Sequence, residues 1–280
     1  MRALIYRRGG LGDTLLTFPL AEALKKSGFE VHFAGNYDYL LLGKEAGLVD
    51  RVFSDLPPRT EDYDRVFLLS FQNFTDRPDA VLINPFPPAR EPVWRYYLRE
   101  AGFEGFEPSK VLPLPSLPDW EGRVVLHPGS GSEKKNAPLE LFKNLYRRLE
   151  GEELRPLFVL GEAERRLKEE LKDFDLYEVK NLLDFARLLK GAAGFVGNDS
   201  GFTHLASYLG VPTVALFGPT DPLVWAPFGP LTAVLYEKLD CSPCFPKDCT
   251  GPVPKECLKR IGEKRVLATL KGLMEKRRKP

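Results

Sequence analysis

Leu4-Ile5-Tyr6-Arg7-Arg8-Gly9-Gly10-Leu11-Gly12-Asp13 runs from a short apolar stretch into three glycines and a carboxylate, and a helical pattern opens at Thr14. Strand, loop, helix is the first half of a βα unit. Glycines at such a turn let the backbone approach a ligand closely. The helix N-terminus behind them offers N–H groups to an anion. The spacing is not G-x-G-x-x-G, so the dinucleotide fingerprint is absent. Asp13 has two readings: a helix cap, or a catalytic carboxylate at the C-terminal edge of a strand. One residue can be both.

The same alternation continues outward. Strands are expected at 4–6, 31–34, 66–69 and 80–83, with helices at 14–26, 37–46 and 93–101. Residues 107–118 then hold four prolines, an extended and semi-rigid joint. Beyond it strands are expected at 124–127, 157–160, 195–197 and 213–217, and helices at 139–149, 163–172, 182–190 and 202–209. In the closing stretch 263–278, Val266, Leu270, Leu273 and Met274 share one helical face. The pattern predicts an α/β chain with mostly parallel sheets, built as two successive units with a cleft between them. A length of 280 residues suits two domains at roughly 150 residues each.

Composition narrows the function. Hydrophobic residues make up 43% and charged residues 28%, which excludes disorder as the main state. Forty basic against 39 acidic residues give a net charge of +1, without the basic excess of a nucleic-acid binder. No run approaches the ~20 apolar residues that span a bilayer. The N-terminal run meets Arg7 and Arg8 without a signal-peptide pattern, so a cytoplasmic protein is expected.

Val196-Gly197-Asn198-Asp199-Ser200-Gly201-Phe202-Thr203-His204 is the most informative loop. A helix starting at Ser200 or Gly201 would aim the N–H groups of Ser200, Gly201, Phe202 and Thr203 at a phosphate or diphosphate. Against that, Asn198 and Asp199 are turn formers that need only cap, and His204 is equally a partner of the preceding loop. Lys135 follows the small-residue run 127–133 and either neutralises a phosphate or is solvated. Glu164 either binds the hydroxyls of a ribose or is a first-turn helix residue.

Two Asp-x-Asp pairs, Asp62/Asp64 and Asp173/Asp175, precede predicted strands rather than follow them. They read as solvated turns and not as metal ligands. Cys241, Cys244, Cys249 and Cys257, spaced C-x2-C-x4-C-x7-C, leave disulfide, free thiol and structural metal open. The basic C-terminal stretch with Lys264, Arg265, Lys271 and 276–279 is either a solvated helix end or a contact for anionic lipid.

Together these motifs resemble glycosyltransferase family nine, the ADP-heptose:lipopolysaccharide heptosyltransferases. The matching stretches are 7–20, Pro128-Gly129-Ser130, 197–206, Leu216-Phe217-Gly218-Pro219-Thr220-Asp221-Pro222 and the cysteine run, which is closest to the heptosyltransferase II branch. The resemblance implies a GT-B fold, two Rossmann-like domains facing across a cleft. The N-terminal acceptor-side domain would be 1–112 and the nucleotide-sugar-binding domain 113–262, with a helix over 263–280 packing back on the first domain. It implies an inverting transfer of a sugar, heptose by family habit, from a nucleotide diphosphate such as ADP-heptose. The acceptor would be a lipopolysaccharide-core-like glycolipid or other saccharide, and no metal or other cofactor would be needed. By the same resemblance Asp13 is the general base, and Lys135, Glu164, Asp199, Ser200, Gly201, Thr203 and His204 hold the donor. Arg7, Arg8, Gly12 and Thr14 touch phosphate or acceptor, the cysteines are structural, and peripheral contact with the inner face of the membrane is compatible.

Two features depart from the family pattern. Asn136 and Ala137 stand where a tryptophan is usual, and the first domain is short, so donor sugar and acceptor are the least constrained. The rival readings are a nucleotide-sugar epimerase of GT-B-like fold and a non-enzymatic zinc-stabilised interaction module.

Overall fold

Ala3, Leu4 and Ile5 are wholly buried in the first strand, β1 (Arg2–Arg7). Apolar residues on both faces of a strand mean that the sheet is covered on both sides, as in parallel α/β folds. A computed structural model describes residues 1–57, 59–251 and 253–278. The chain divides into two units, Met1–Leu114 and 115–280.

In the first unit β1 is followed by α1 (Leu11–Leu15), α2 (Phe18–Lys26), β2 (Glu30–Gly35), α3 (Tyr37–Glu45) and β3 (Arg51–Phe53). Then come β4 (Arg65–Leu69), β5 (Val81–Ile83) and α4 (Val93–Glu100). The sheet order is β3-β2-β1-β4-β5, with every pairing parallel. The expected single helix over 14–26 is two. Pro19 in the first turn of α2 has no N–H to continue a ladder, and the chain starts a new helix there.

The second unit contains β6 (Arg123–His127), α5 (Leu139–Gly151), β7 (Arg155–Leu160), β8 (Leu176–Glu178), α6 (Leu182–Gly191), β9 (Gly194–Asn198) and α7 (Gly201–Tyr208). It continues with β10 (Thr213–Phe217), α8 (Pro222–Trp225), β11 (Thr232–Tyr236), α9 (Glu256–Lys259) and α10 (Glu263–Arg278). Its sheet is also wholly parallel, in the order β11-β10-β9-β6-β7-β8. The helix expected over 163–172 is instead a pair of 3-10 turns, 162–167 and 169–171.

Strand order reverses between β1 and β4 in one sheet and between β6 and β9 in the other. Loops leaving the C-terminal ends of these strands line the crevice where open α/β sheets bind ligands. The glycine loop leaves β1, Lys135 follows β6, and Asp199 follows β9.

The apolar face of α10, with Val266, Leu267, Leu270, Leu273 and Met274, is part of the second core. Gly194 of β9 makes room: a Cβ there would stand 2.9 Å from Leu270 Cδ1. Three of the basic residues in this stretch are engaged within the unit. Arg265 pairs with Glu237 and Lys271 with Glu152, and Arg277 donates to the carbonyls of Lys190 and Ala192. Lys279 lies outside the described residues. No helix among the described residues is long and apolar enough to cross a membrane.

Candidate functional site

At the edge of the first sheet, Asp13 is the third residue of α1 rather than its cap. Gly10 occupies the cap position, and the Asp13 carboxylate reaches back to accept its N–H, Gly10 N to Oδ2 at 2.8 Å. The second oxygen, Oδ1, accepts from Arg7 Nη2 at 2.9 Å. Arg7 is buried, whereas a third of the Asp13 side chain remains exposed. Each carboxylate oxygen has two lone-pair sites, so each keeps one for a ligand. Gly9 is required here, because a Cβ would sit 2.8 Å from Asp13 Oδ2.

Tyr97, which sequence reading passed over, is buried and donates to Pro85 O at 2.8 Å. Burial pushes its phenol well above the usual range, against the opposing influence of the Arg7 cation. Arg8 points elsewhere: it is exposed and lies 4.0 Å from Asp55. Gly12 is inside α1. Thr14 is wholly buried, with its hydroxyl on Gly10 O at 3.2 Å, so it contributes to the turn and presents nothing to a ligand.

The second sheet gathers most of the other expected residues. Asp199 is buried and forms a hub: Lys135 Nζ lies 3.2 Å and Thr220 Oγ1 2.8 Å from Oδ2, and His204 Nε2 lies 3.9 Å from Oδ1. Ser200 caps α7, accepting from the Thr203 N–H at 3.4 Å. Its hydroxyl is also 3.3 Å from His127 Nδ1. Thr203 Oγ1 donates to Asn198 O at 2.5 Å. Both Ser200 and Thr203 hydroxyls are therefore used in building the loop. The loop's N–H edge begins with Gly201, the first residue of α7. Asn198 staples two strands, donating to Pro128 O at 2.7 Å and accepting from the Ala137 N–H at 2.9 Å.

Glu164 is buried and reaches back to accept the Gly161 N–H at 3.0 Å. His127 Nε2 stands 3.5 Å from its Oε2, without hydrogen-bond geometry. Burial disfavours the carboxylate, yet the His127 ring and the Gly161 N–H outweigh it, so the acid sits below its usual range. A Cβ on Gly129 would come within 2.0 Å of Glu164 Cγ, so only glycine admits this side chain.

The cysteine segment supports Lys135. Phe245 lies under its ammonium at 5.7 Å, and Lys134 Nζ donates to Pro246 O at 3.1 Å. Lys255 Nζ donates to Glu133 O at 3.0 Å and to Asn136 O at 3.2 Å. All four thiols are free. Among the described residues no group of three or more His, Cys, Asp or Glu side chains is placed to hold a metal ion. The Asp-x-Asp residues serve structure: Asp64 accepts the Arg2 N–H at 2.6 Å, and Asp175 pairs with Arg123 at 2.6 Å.

His127, Thr220, Tyr97 and Phe245 complete the two clusters and were not selected from sequence. The one available signal was position, because His127 ends a strand and Thr220 follows another.

Two wholly parallel, doubly wound sheets with polar clusters at their switch points define an α/β protein of GT-B fold. Residues 115–253 match the family model described as glycosyltransferase family 9 (heptosyltransferase). Lipopolysaccharide heptosyltransferase 1 of Pseudomonas aeruginosa is 33% identical over 107 residues, 34% of this chain and 30% of that protein. Lipooligosaccharide heptosyltransferase 2 of Campylobacter jejuni is 34% identical over 130 residues, 42% of this chain and 40% of that protein. The matches thus span less than half of these curated relatives. The structure of Escherichia coli ADP-heptose lps heptosyltransferase II covers 99% of both chains with a TM-score of 0.77 at 17% identity, a likeness of fold.

Proposed function

We propose that this chain is an inverting, metal-independent glycosyltransferase that moves heptose from ADP-heptose to a saccharide acceptor. The observation that carries the reading is the Asp13 carboxylate. It is fixed by Arg7 and Gly10, partly open, and sits at a strand's C-terminal edge in a chain that matches the heptosyltransferase family model. The donor identity is supported by the likeness to Escherichia coli ADP-heptose lps heptosyltransferase II.

In this reading an acceptor hydroxyl gives its proton to Asp13 as its oxygen attacks the anomeric carbon. The bond from that carbon to the diphosphate oxygen breaks, and the electron pair leaves with the nucleotide diphosphate. A positioned carboxylate base contributes typically 10²–10⁴-fold. The departing charge is taken by Lys135 and the N–H edge that begins α7 at Gly201. Glu164, held beside His127, receives the ribose hydroxyls. Asp199 acts at one remove: with Thr220 it fixes where Lys135 points.

The test is Asp13→Ala, which is expected to reduce nucleotide release at least 100-fold while nucleotide-sugar affinity, read by calorimetry, stays within twofold. Transfer near the wild-type rate would require another base and would remove Asp13 from the mechanism.

A further inference from the structure

His127 ends β6 and is 3% exposed. Its Nδ1 lies 3.3 Å from Ser200 Oγ, but among the described residues Nε2 has no hydrogen-bond partner. A histidine that serves only the core satisfies both nitrogens, because a polar atom shut away from water without a partner is costly. One nitrogen of His127 is instead left orphaned.

The direction of that nitrogen gives it a purpose. Nε2 faces Glu164 Oε2 at 3.5 Å, and the Gly161 N–H falls on the same oxygen at 3.0 Å. Both contacts lie on one carboxylate oxygen, which leaves Oε1 for a ligand hydroxyl. A bare nitrogen lone pair so close to a buried carboxylate would be repelled, which places the ring proton on Nε2. Ser200 then donates to Nδ1 and fixes that tautomer. Phe202 packs on the ring with centroids 4.8 Å apart, and it rests in turn on Phe185 at 4.7 Å. The carboxylate is boxed as well: a Cβ on Gly161 would stand 3.1 Å from Glu164 Oε2 and 3.3 Å from Phe202 Cζ. Donor and acceptor thus face each other, held from both sides, with the hydrogen bond between them unmade. Hydrogen bonds of a working site are often long in the free protein and tighten in the complex.

We propose, on the ribose role given above to Glu164, that His127 is a positioning residue whose Nε2–H closes on Glu164 Oε2 when a ribose diol takes Oε1. A small pivot of the carboxylate about the Gly161 N–H brings the two atoms together. The ring does not touch the nucleotide; it acts through Glu164. Because the same ring bonds Ser200, the cap of α7, it ties the ribose contact to the N–H edge that receives the diphosphate in that reading.

The experiment is calorimetry on the full chain with ADP and with its dideoxy analogue, which lacks both ribose hydroxyls. The quantity read is the ratio of the two dissociation constants. His127→Asn keeps an amide at the reach of Nδ1 and removes the group at Nε2, whereas His127→Gln carries its amide at the reach of Nε2. The wild-type chain is expected to bind ADP at least about tenfold more tightly than the analogue, a difference of about 1.4 kcal/mol. In His127→Asn the ratio should fall to about twofold or less with the analogue's affinity unchanged, and His127→Gln should hold it within about threefold of wild type.

Retention of the full ratio by His127→Asn overturns the proposal and leaves the transferase reading intact. Equal weakening of both nucleotides, or loss of the ratio in both variants, also overturns it, since the ring would then serve packing alone. A wild-type chain that does not discriminate between the two nucleotides, in the adenosine, uridine or guanosine series, marks the failure of the ribose role of Glu164, and the proposal falls with it. Thermal unfolding checks that each variant is folded, and His127→Leu replaces His127→Asn if that one is not.

Discussion

Glu164 shows how a single carboxylate acquires its place. Glycine at 129 leaves the space, the Gly161 N–H fixes one oxygen, and the His127 ring sits alongside. Because its acid is held below the ordinary value of 4.5, the group stabilises the fold above that pH and ceases to do so as pH falls through the lowered value. Glu164→Gln keeps the shape and removes the titration. We expect the variant to be about 1.5–3 kcal/mol less stable near neutrality, the range for a hydrogen bond to a charged group. The gap should close in acid below about pH 4.5. Urea midpoints across that range would check it. A gap that stays constant with pH would mean that the Glu164 charge contributes nothing. The same residue exposes a limit of sequence reading: the first-turn position was legible, but the histidine beside it arrives from a strand 37 positions earlier.

At the scale of elements, α6 closes on Ala192, whose N–H reaches Leu189 O, and Arg277 of α10 adds a guanidinium on the carbonyls of Lys190 and Ala192. A guanidinium on the last carbonyls of a helix satisfies acceptors that have no intrahelical partner and meets the negative end of the dipole. Burial there lowers the arginine's pKa, as expected for a cation taken partly out of water. Arg277→Met, which keeps the apolar stem, should cost about 1–3 kcal/mol by leaving those carbonyls unmet. Faster amide exchange confined to the last turn of α6 would locate the loss, and unchanged stability would reduce the contact to decoration.

Periodicity could not show this pairing, because it is made across 85 residues and the basic tail looks solvated when read alone. The central strands, by contrast, were legible as unbroken apolar runs. β3, β8 and β11 were missed, and all three are sheet edges, where partial exposure breaks such runs. The loops of the site announced themselves through glycines and turn formers ahead of a helix. Their partners did not, because β6 and β9 become neighbours only through the crossover topology.

At the scale of the molecule, the two units have separate cores, and the terminal helix belongs to the second. Val266, Leu267, Leu270, Leu273 and Met274 are each buried, and burial of such side chains stabilises by about 1.5–3 kcal/mol apiece. Together that is on the order of 10 kcal/mol as an upper bound, since unfolded chains already bury part of their apolar surface. Domain stabilities are only about 5–15 kcal/mol. The helix therefore decides whether the second unit folds at all. A fragment of residues 115–280 should unfold in urea in one cooperative transition, and ADP should raise its midpoint if the donor cluster is the nucleotide site. The fragment 115–262, which lacks only α10, should show no cooperative transition. If 115–262 still unfolds cooperatively, the helix is an accessory to a core already complete, and its reach toward the first unit would again be open to test by cross-linking in the intact chain.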